Sequence, residues 1–201
     1  SLGVDSIALS FVQRAADISV AAHQAAMRAA RPGIHEYELQ AEIERVFRMH
    51  DAQPAYASIV GAGANACVLH YRANSAKSRA GDLVLVDAGA EYRGYAADIT
   101  RTFPLNRRFS AAQRALHDLV GKAQAAALAQ AVPGKPWSAM HDAAVETLTD
   151  GLLSLGLLKG KLAKAIADGG YQRFYRHKTG HWLGLDVHDV GDYRVDDEPR
   201  L

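Results

Sequence analysis

The sequence predicts an α+β fold built as two related halves, 1–109 and 110–201, and three observations carry that reading. Apolar residues recur at helical spacing through alanine-rich stretches, then give way to short β-branched runs separated by Gly and Asn. The order helix, Pro-Gly, helix, strands occurs twice: Ala30-Arg31-Pro32-Gly33 in the first half is answered by Ala131-Val132-Pro133-Gly134 in the second. The strand-rich part after the helices is long in the first half and short in the second. A duplicated domain ending at Leu201 would therefore lack strands that its first half possesses.

Each element has its own signal. Residues from Ser6 to Arg31 carry apolar positions at Phe11, Ala15, Ile18 and Ala22, an amphipathic helix stopped by Pro32-Gly33. A second helix spans Glu36 to Met49, with Leu39, Ile43, Val46 and Phe47 as its buried stripe. Tyr56 to Val60, Leu83 to Asp87 and Tyr95 to Phe103 then read as strands. Ser110, with Gln113 three residues on, has capping-box spacing and opens a helix running to about Ala131. Another helix covers Ser138 to Leu153. A short one covers Leu158 to Ala167 and stops at Gly169-Gly170, with Lys159, Lys161 and Lys164 on a solvated face.

Composition narrows the function classes. With 23 basic and 22 acidic residues interspersed and a net charge of +1, no basic stripe offers itself to a phosphate backbone, so a nucleic-acid partner is not expected. No apolar run reaches bilayer-spanning length, so no membrane partner is expected either. The one cysteine, Cys67, lies among Ala66, Val68 and Leu69 and reads as a small buried hydrophobe. A lone cysteine excludes an intrachain disulfide framework and fits a reducing, cytoplasmic compartment.

The chemistry concentrates in two places. Asp87 closes the apolar run Leu83-Val84-Leu85-Val86, and Asp98 opens Ile99-Thr100-Arg101-Thr102-Phe103. Carboxylates at the end of a buried strand are costly unless a cation offsets their desolvation. A turn at Tyr92-Arg93-Gly94 would place Asp87 opposite Asp98, with Cβ atoms about 4.5–5.5 Å apart. Two carboxylates that close share a proton, repel, or hold divalent ions of the kind used for hydrolysis. The plainer reading, a turn beginning at Asp87-Ala88-Gly89 and a solvated Asp98, stays open on the hairpin alone. The second place is a histidine group, His177, His181 and His188, in a Gly- and Asp-rich segment.

Three motifs in order resemble one family. Ala62-Gly63-Ala64-Asn65-Ala66-Cys67-Val68-Leu69-His70-Tyr71, Val86-Asp87-Ala88-Gly89 continuing to Asp98-Ile99-Thr100-Arg101-Thr102-Phe103-Pro104, and His181-Trp182-Leu183-Gly184-Leu185-Asp186-Val187-His188-Asp189-Val190-Gly191 are similar to those of the Xaa-Pro aminopeptidase (aminopeptidase P) family. Its relatives are prolidase, methionine aminopeptidase and creatinase. The resemblance covers essentially the whole chain. It implies the pita-bread fold, two pseudo-symmetric sets of helices on a curved antiparallel sheet, with the second half here incomplete.

By motif matching, the resemblance makes Asp87, Asp98 and His181 metal ligands, His70 and His188 catalytic and substrate-facing, and His177 a substrate residue on the proline side. It implies two divalent ions, manganese first and cobalt or zinc as alternatives, and peptide substrates with N-terminal Xaa-Pro. Homo-oligomer formation by the full-length protein is left open. Two further glutamate ligands are expected beyond Leu201, and neither Glu146 nor Glu198 replaces them, so this chain is expected to be weakly active or inactive. The family usually has glycine directly after the histidine matched by His177, and here Lys178-Thr179-Gly180 stands between His177 and His181 instead. A prolidase-type dipeptidase and a non-enzymatic binding module of the same fold are the alternatives. His23, His35, His50, His117 and His141 sit on or beside helices with no convergent partners expected and read as structural or solvent-facing, and Arg101 as a partner of nearby carboxylates.

Overall fold

Alanine at the helix interface and valine on the sheet set how closely the elements pack. The structure, a computed structural model, describes residues 6–195 together with 198 and 199. They form two compact units. The first takes in residues up to Phe109 together with Trp182–Val190, and the second Ser110–His181 and the residues from Gly191 on. No helix is long and apolar enough to cross a membrane among the described residues.

In the first unit, helix α1 (Ser6–Ala29) lies against helix α2 (Glu36–Met49). Ala15, Ala22 and Ala26 are fully buried, which lets the helices approach closely, and Ile18, Leu39, Ile43 and Phe47 fill the space between them and the sheet. Each such large side chain contributes roughly 1.5–3 kcal/mol of burial. Helix α2 is capped at its start by Glu38, whose carboxylate accepts the backbone N–H of His35 at 2.8 Å.

Six short strands follow: β1 (Gln53–Pro54), β2 (Ile59–Ala62), β3 (Leu83–Asp87), β4 (Ala90–Tyr92), β5 (Tyr95–Ala96) and β6 (Thr100–Pro104). They make two antiparallel sheets, ordered β1-β4-β5 and β2-β3-β6. Alternation along β3 sends Val84 and Val86 into the core and leaves Leu83, Leu85 and Asp87 on the opposite face. Two expected strands are shorter than the sequence suggested. Tyr56 to Ser58 lie outside β2, and the run from Tyr95 to Phe103 is broken into β5 and β6.

The expected register is also corrected. Arg93 and Gly94, with φ of 54° and 87°, form the two-residue turn by themselves, the pair of positive values a type I′ hairpin needs. Tyr92 then pairs with Tyr95, and Asp87 stands opposite Thr100, not Asp98. Between those pairings the two sides of the hairpin approach closely at Gly89. A Cβ there would lie 1.6 Å from the carbonyl oxygen of Ala97.

In the second unit, helix α3 (Ala111–Leu128) opens with the expected capping box: Ser110 Oγ accepts the N–H of Gln113 at 3.2 Å, and Gln113 Oε1 accepts that of Ser110 at 2.9 Å. Helix α4 (Ser138–Ser154) packs on α3 where Gly151 meets Leu119; a Cβ at Gly151 would lie 2.2 Å from Leu119 Cδ1. Helix α5 (Leu162–Ala167) starts later than its apolar residues suggested, because Gly160 has a φ of 104° and Lys161 is extended. Gly169, at φ 68°, ends it as expected. Strands β7 (Arg194–Val195) and β8 (Glu198–Pro199) pair antiparallel.

Candidate metal centre

Asp87 ends β3 and Asp98 lies two residues before its partner Thr100, so the register makes the two carboxylates diagonal neighbours close enough to meet. They do, through a residue the sequence did not single out. The hydroxyl of Tyr56 lies 2.6 Å from Asp87 Oδ1 and 2.9 Å from Asp98 Oδ1. Burial, then the hydrogen bond and charge of Asp87 and the charge of Asp98, push the phenol far above its usual range, so it stays protonated and donates. Burial pushes the Asp87 carboxyl up, the Tyr56 bond draws it down, and the Asp98 charge pushes it up again. The net direction is above the ordinary carboxylate range.

One hydroxyl proton serves only one of the two carboxylates at a time, so the pair keeps an excess of anionic oxygen in a half-buried place. That donor set fits divalent cations: hard oxygen ligands held close together on one shared hydroxyl. Arg101 does not supply the compensation expected of it; its guanidinium donates to Thr100 O at 2.8 Å.

Helix α1 holds this part of the hairpin by two hydrogen bonds. Ser19 Oγ accepts the N–H of Ala90 at 2.8 Å and donates to Ala15 O at 2.7 Å. His23 Nε2 lies 3.0 Å from Ala88 O, an acceptor that only an N–H can serve, so Nε2 carries the proton. Burial above all lowers the pKa of His23 and keeps it neutral. Two buried polar residues of α1 thus fix the residues directly after Asp87.

The histidines distribute between the units. His70 is exposed, with φ 50°, in the loop that follows a 3-10 turn over Gly63–Cys67. His188 is exposed in the segment 182–190, which docks on the hairpin of the first unit through Ala96 N–H to Gly184 O at 2.8 Å. Asp189 folds that segment around itself: its carboxylate accepts the N–H groups of Leu185 at 2.9 Å and Val190 at 2.8 Å, and its own N–H donates to Trp182 O at 3.0 Å. His181 is half-buried and belongs to the second unit, as does the exposed His177. Among the described residues, no three His, Cys, Asp or Glu side chains gather as a metal site. What the structure brings together is Asp87, Asp98 and Tyr56.

Two other expectations are corrected. Cys67 is exposed, because the 3-10 turn ends there and the chain leaves the sheet. His141 has partners: its Nδ1 lies 3.1 Å from Thr179 Oγ1, its ring stacks on Tyr175 at 5.6 Å, and Tyr175 hydroxyl also contacts Thr179. With Tyr171, Arg176, His177 and Lys178 it lines a cavity of about 390 Å³. Burial, then the Lys178 charge, lowers its pKa.

The match to known proteins agrees with this fold. Metallopeptidase family M24 matches residues 10–201, and the chain belongs to that family. Within it, the chain is 46% identical over 189 residues to the Xaa-Pro aminopeptidase of Escherichia coli strain K12, covering 94% of this chain and 43% of that protein. It is 47% identical over 189 residues to the Xaa-Pro aminopeptidase of Haemophilus influenzae, covering 94% and 44%. The structure superposes on the aminopeptidase PepP of Pseudomonas aeruginosa with a TM-score of 0.96 at 50% identity, over 98% of this chain and 45% of that one. Zinc-substituted E. coli aminopeptidase P in complex with product gives 0.94 at 44% identity, again over 98% and 45%. The pita-bread fold expected from the motifs is therefore the fold of this chain, which spans less than half the length of these relatives.

Proposed function

We propose that this chain carries the metal-binding core of an Xaa-Pro aminopeptidase, which releases the N-terminal residue from peptides with proline second. The observation that carries the reading is the convergence of Asp87 and Asp98 on Tyr56 in a chain of family M24. The names of its relatives support aminopeptidase over prolidase. Asp87, Asp98 and His181 would hold a pair of divalent ions, manganese first and cobalt or zinc as alternatives. When bound, such ions supply Lewis acidity that lowers the pKa of water and offsets negative charge on a reacting carbonyl.

The chain's own residues do the rest. Tyr56 orients the two carboxylates and keeps its proton. His70 and His188, both solvent-accessible, can donate to a substrate carbonyl or an oxyanion. His177 meets the proline side. Proline lacks the N–H that ordinary peptidases bind, so a shaped pocket replaces that contact. The two glutamate ligands implied by the resemblance have no match in this chain. We also place the protein in the cytoplasm, an expectation that rests on its lone cysteine.

The test is hydrolysis by the product of the complete coding sequence, with manganese, of an Xaa-Pro dipeptide and an Xaa-Pro-Xaa tripeptide. Release of the first residue from the tripeptide is expected. Strong preference for the dipeptide would favour prolidase, and no release from either would overturn the reading.

A further inference from the structure

Glu36, the first residue of α2, is 1% exposed and makes no ion pair among the described residues. Its carboxylate is instead fully occupied by hydrogen bonds. Oε1 accepts the backbone N–H of Ala62 at 2.8 Å and the side-chain amide of Asn65 at 2.9 Å. Oε2 accepts the hydroxyl of Tyr71 at 2.8 Å and the backbone N–H of Ala76 at 2.8 Å. Asn65 also donates to the Tyr71 hydroxyl at 3.0 Å, tying the two side chains together.

All four donors belong to one stretch, 62–76, and they sit at its two roots and on both sides of its tip. The tip itself has little to hold it: Cys67 and His70 are exposed, and Val68 and Leu69 are 53% and 60% exposed. His70 nevertheless has φ 50°, in the left-handed region that a β-carbon disfavours. A conformation of that kind persists only where the surroundings over-determine it. Here the surroundings are the roots. For packing α2 on the sheet, an apolar side chain at 36 would serve better than a buried carboxylate.

We propose that Glu36 is a positioning residue: its buried carboxylate clamps both roots of the 62–76 loop and thereby fixes where His70 presents its imidazole. The catalytic part of this rests on the reading of His70 as substrate-facing; the clamp itself does not. Glu36→Gln keeps the shape but turns an amide NH₂ toward two of the four donors. Tyr71→Phe removes one donor and leaves the carboxylate in place.

The experiment combines hydrogen–deuterium exchange with kinetics on the product of the complete coding sequence. Glu36→Gln should speed exchange in the peptide covering 62–76 by about tenfold or more beyond any change in peptides from residues 15–26 of α1, which report global stability, and Tyr71→Phe should do so less. Turnover should fall about 10–100-fold in Glu36→Gln, as displaced catalytic groups typically show. In a His70→Ala background, Glu36→Gln should cost nothing further. If Glu36→Gln does not fold, Tyr71→Phe alone decides both arms. Unchanged loop exchange in a folded variant overturns the clamp. Independent, multiplying losses in the double variant overturn its action through His70. Normal turnover by His70→Ala would mean that the reading of His70 has failed, while the exchange result still decides the clamp.

Discussion

Tyr56 reaches its two carboxylates across 31 and 42 residues of sequence, and that separation explains why no local pattern pointed to it. Asp87 and Asp98 were legible because a carboxylate closing or opening an apolar run is conspicuous in any window; a tyrosine beside alanines is not. Tyr56→Phe should leave one half-buried carboxylate short of a donor and cost about 1–3 kcal/mol of stability, read as a lower urea midpoint. In the complete enzyme it should also weaken manganese binding about 10–100-fold by calorimetry, the usual effect of removing a group that orients metal ligands. Asp87→Asn should abolish turnover; near-normal rates would remove Asp87 from the site.

Glu36 makes a separate prediction about pH. Burial raises its carboxyl, but the hydrogen bonds from Ala62, Asn65, Ala76 and Tyr71 outweigh this and hold it below the ordinary range. Its folded pKa is thus below its unfolded one, so its stabilisation is complete above the unfolded value, about 4.3, and is lost as pH falls through the lower folded value. The urea midpoints of wild type and Glu36→Gln should differ by the equivalent of about 2–4 kcal/mol near pH 7. They should converge as the pH drops below about 4. A pH-independent difference would show that the charge contributes nothing.

At the scale of elements, the hairpin from β3 to β6 carries the site, and two glycines shape it. Gly94 shares the tight turn with Arg93, which shifts the register so that Asp87 faces Thr100. Gly89 lets the carbonyl of Ala97 come within a distance no β-carbon tolerates, and Asp98, two residues before Thr100, meets Asp87 across the diagonal through Tyr56. The sequence reading set the two aspartates directly opposite each other through a wrong register, whereas they are diagonal neighbours joined by a tyrosine distant in sequence. Gly89→Ala should therefore destabilise by at least about 3 kcal/mol or prevent folding, measured by thermal or urea denaturation. Ser110→Ala, which removes one bond of the α3 capping box, should cost only about 1 kcal/mol in the same assay.

For the whole molecule, the two units differ in how their helices are covered. The helices of the first unit bury their apolar faces under β2-β3-β6. Those of the second leave a cavity of about 610 Å³ lined by Leu116, Val120, Leu128, Met140, Leu148 and Phe174 among others, with Val120 58% and Leu128 66% exposed. The metal-binding prediction belongs at this scale. With only Asp87, Asp98 and Tyr56 converging among the described residues, calorimetry of this chain with manganese should find no submicromolar site. The loss of even supporting groups costs about 10–100-fold in affinity, and direct ligands cost more. A stoichiometric tight site would contradict this.

By itself the sequence determined the helices with their caps and stops, the buried stripe of α2, the strand ending in Asp87 and the family, because these depend on spacing and residue type within a few turns of chain. Only the tertiary structure decided the register that sets Asp87 against Thr100, the close backbone approach at Gly89, the exposure of Cys67, and the hydrogen-bonding hubs at Tyr56, Glu36 and His23. The physical reason is common to all of these: each depends on polar or close backbone contacts whose partners lie far apart in sequence, and a one-residue choice in a turn moves every partner that follows.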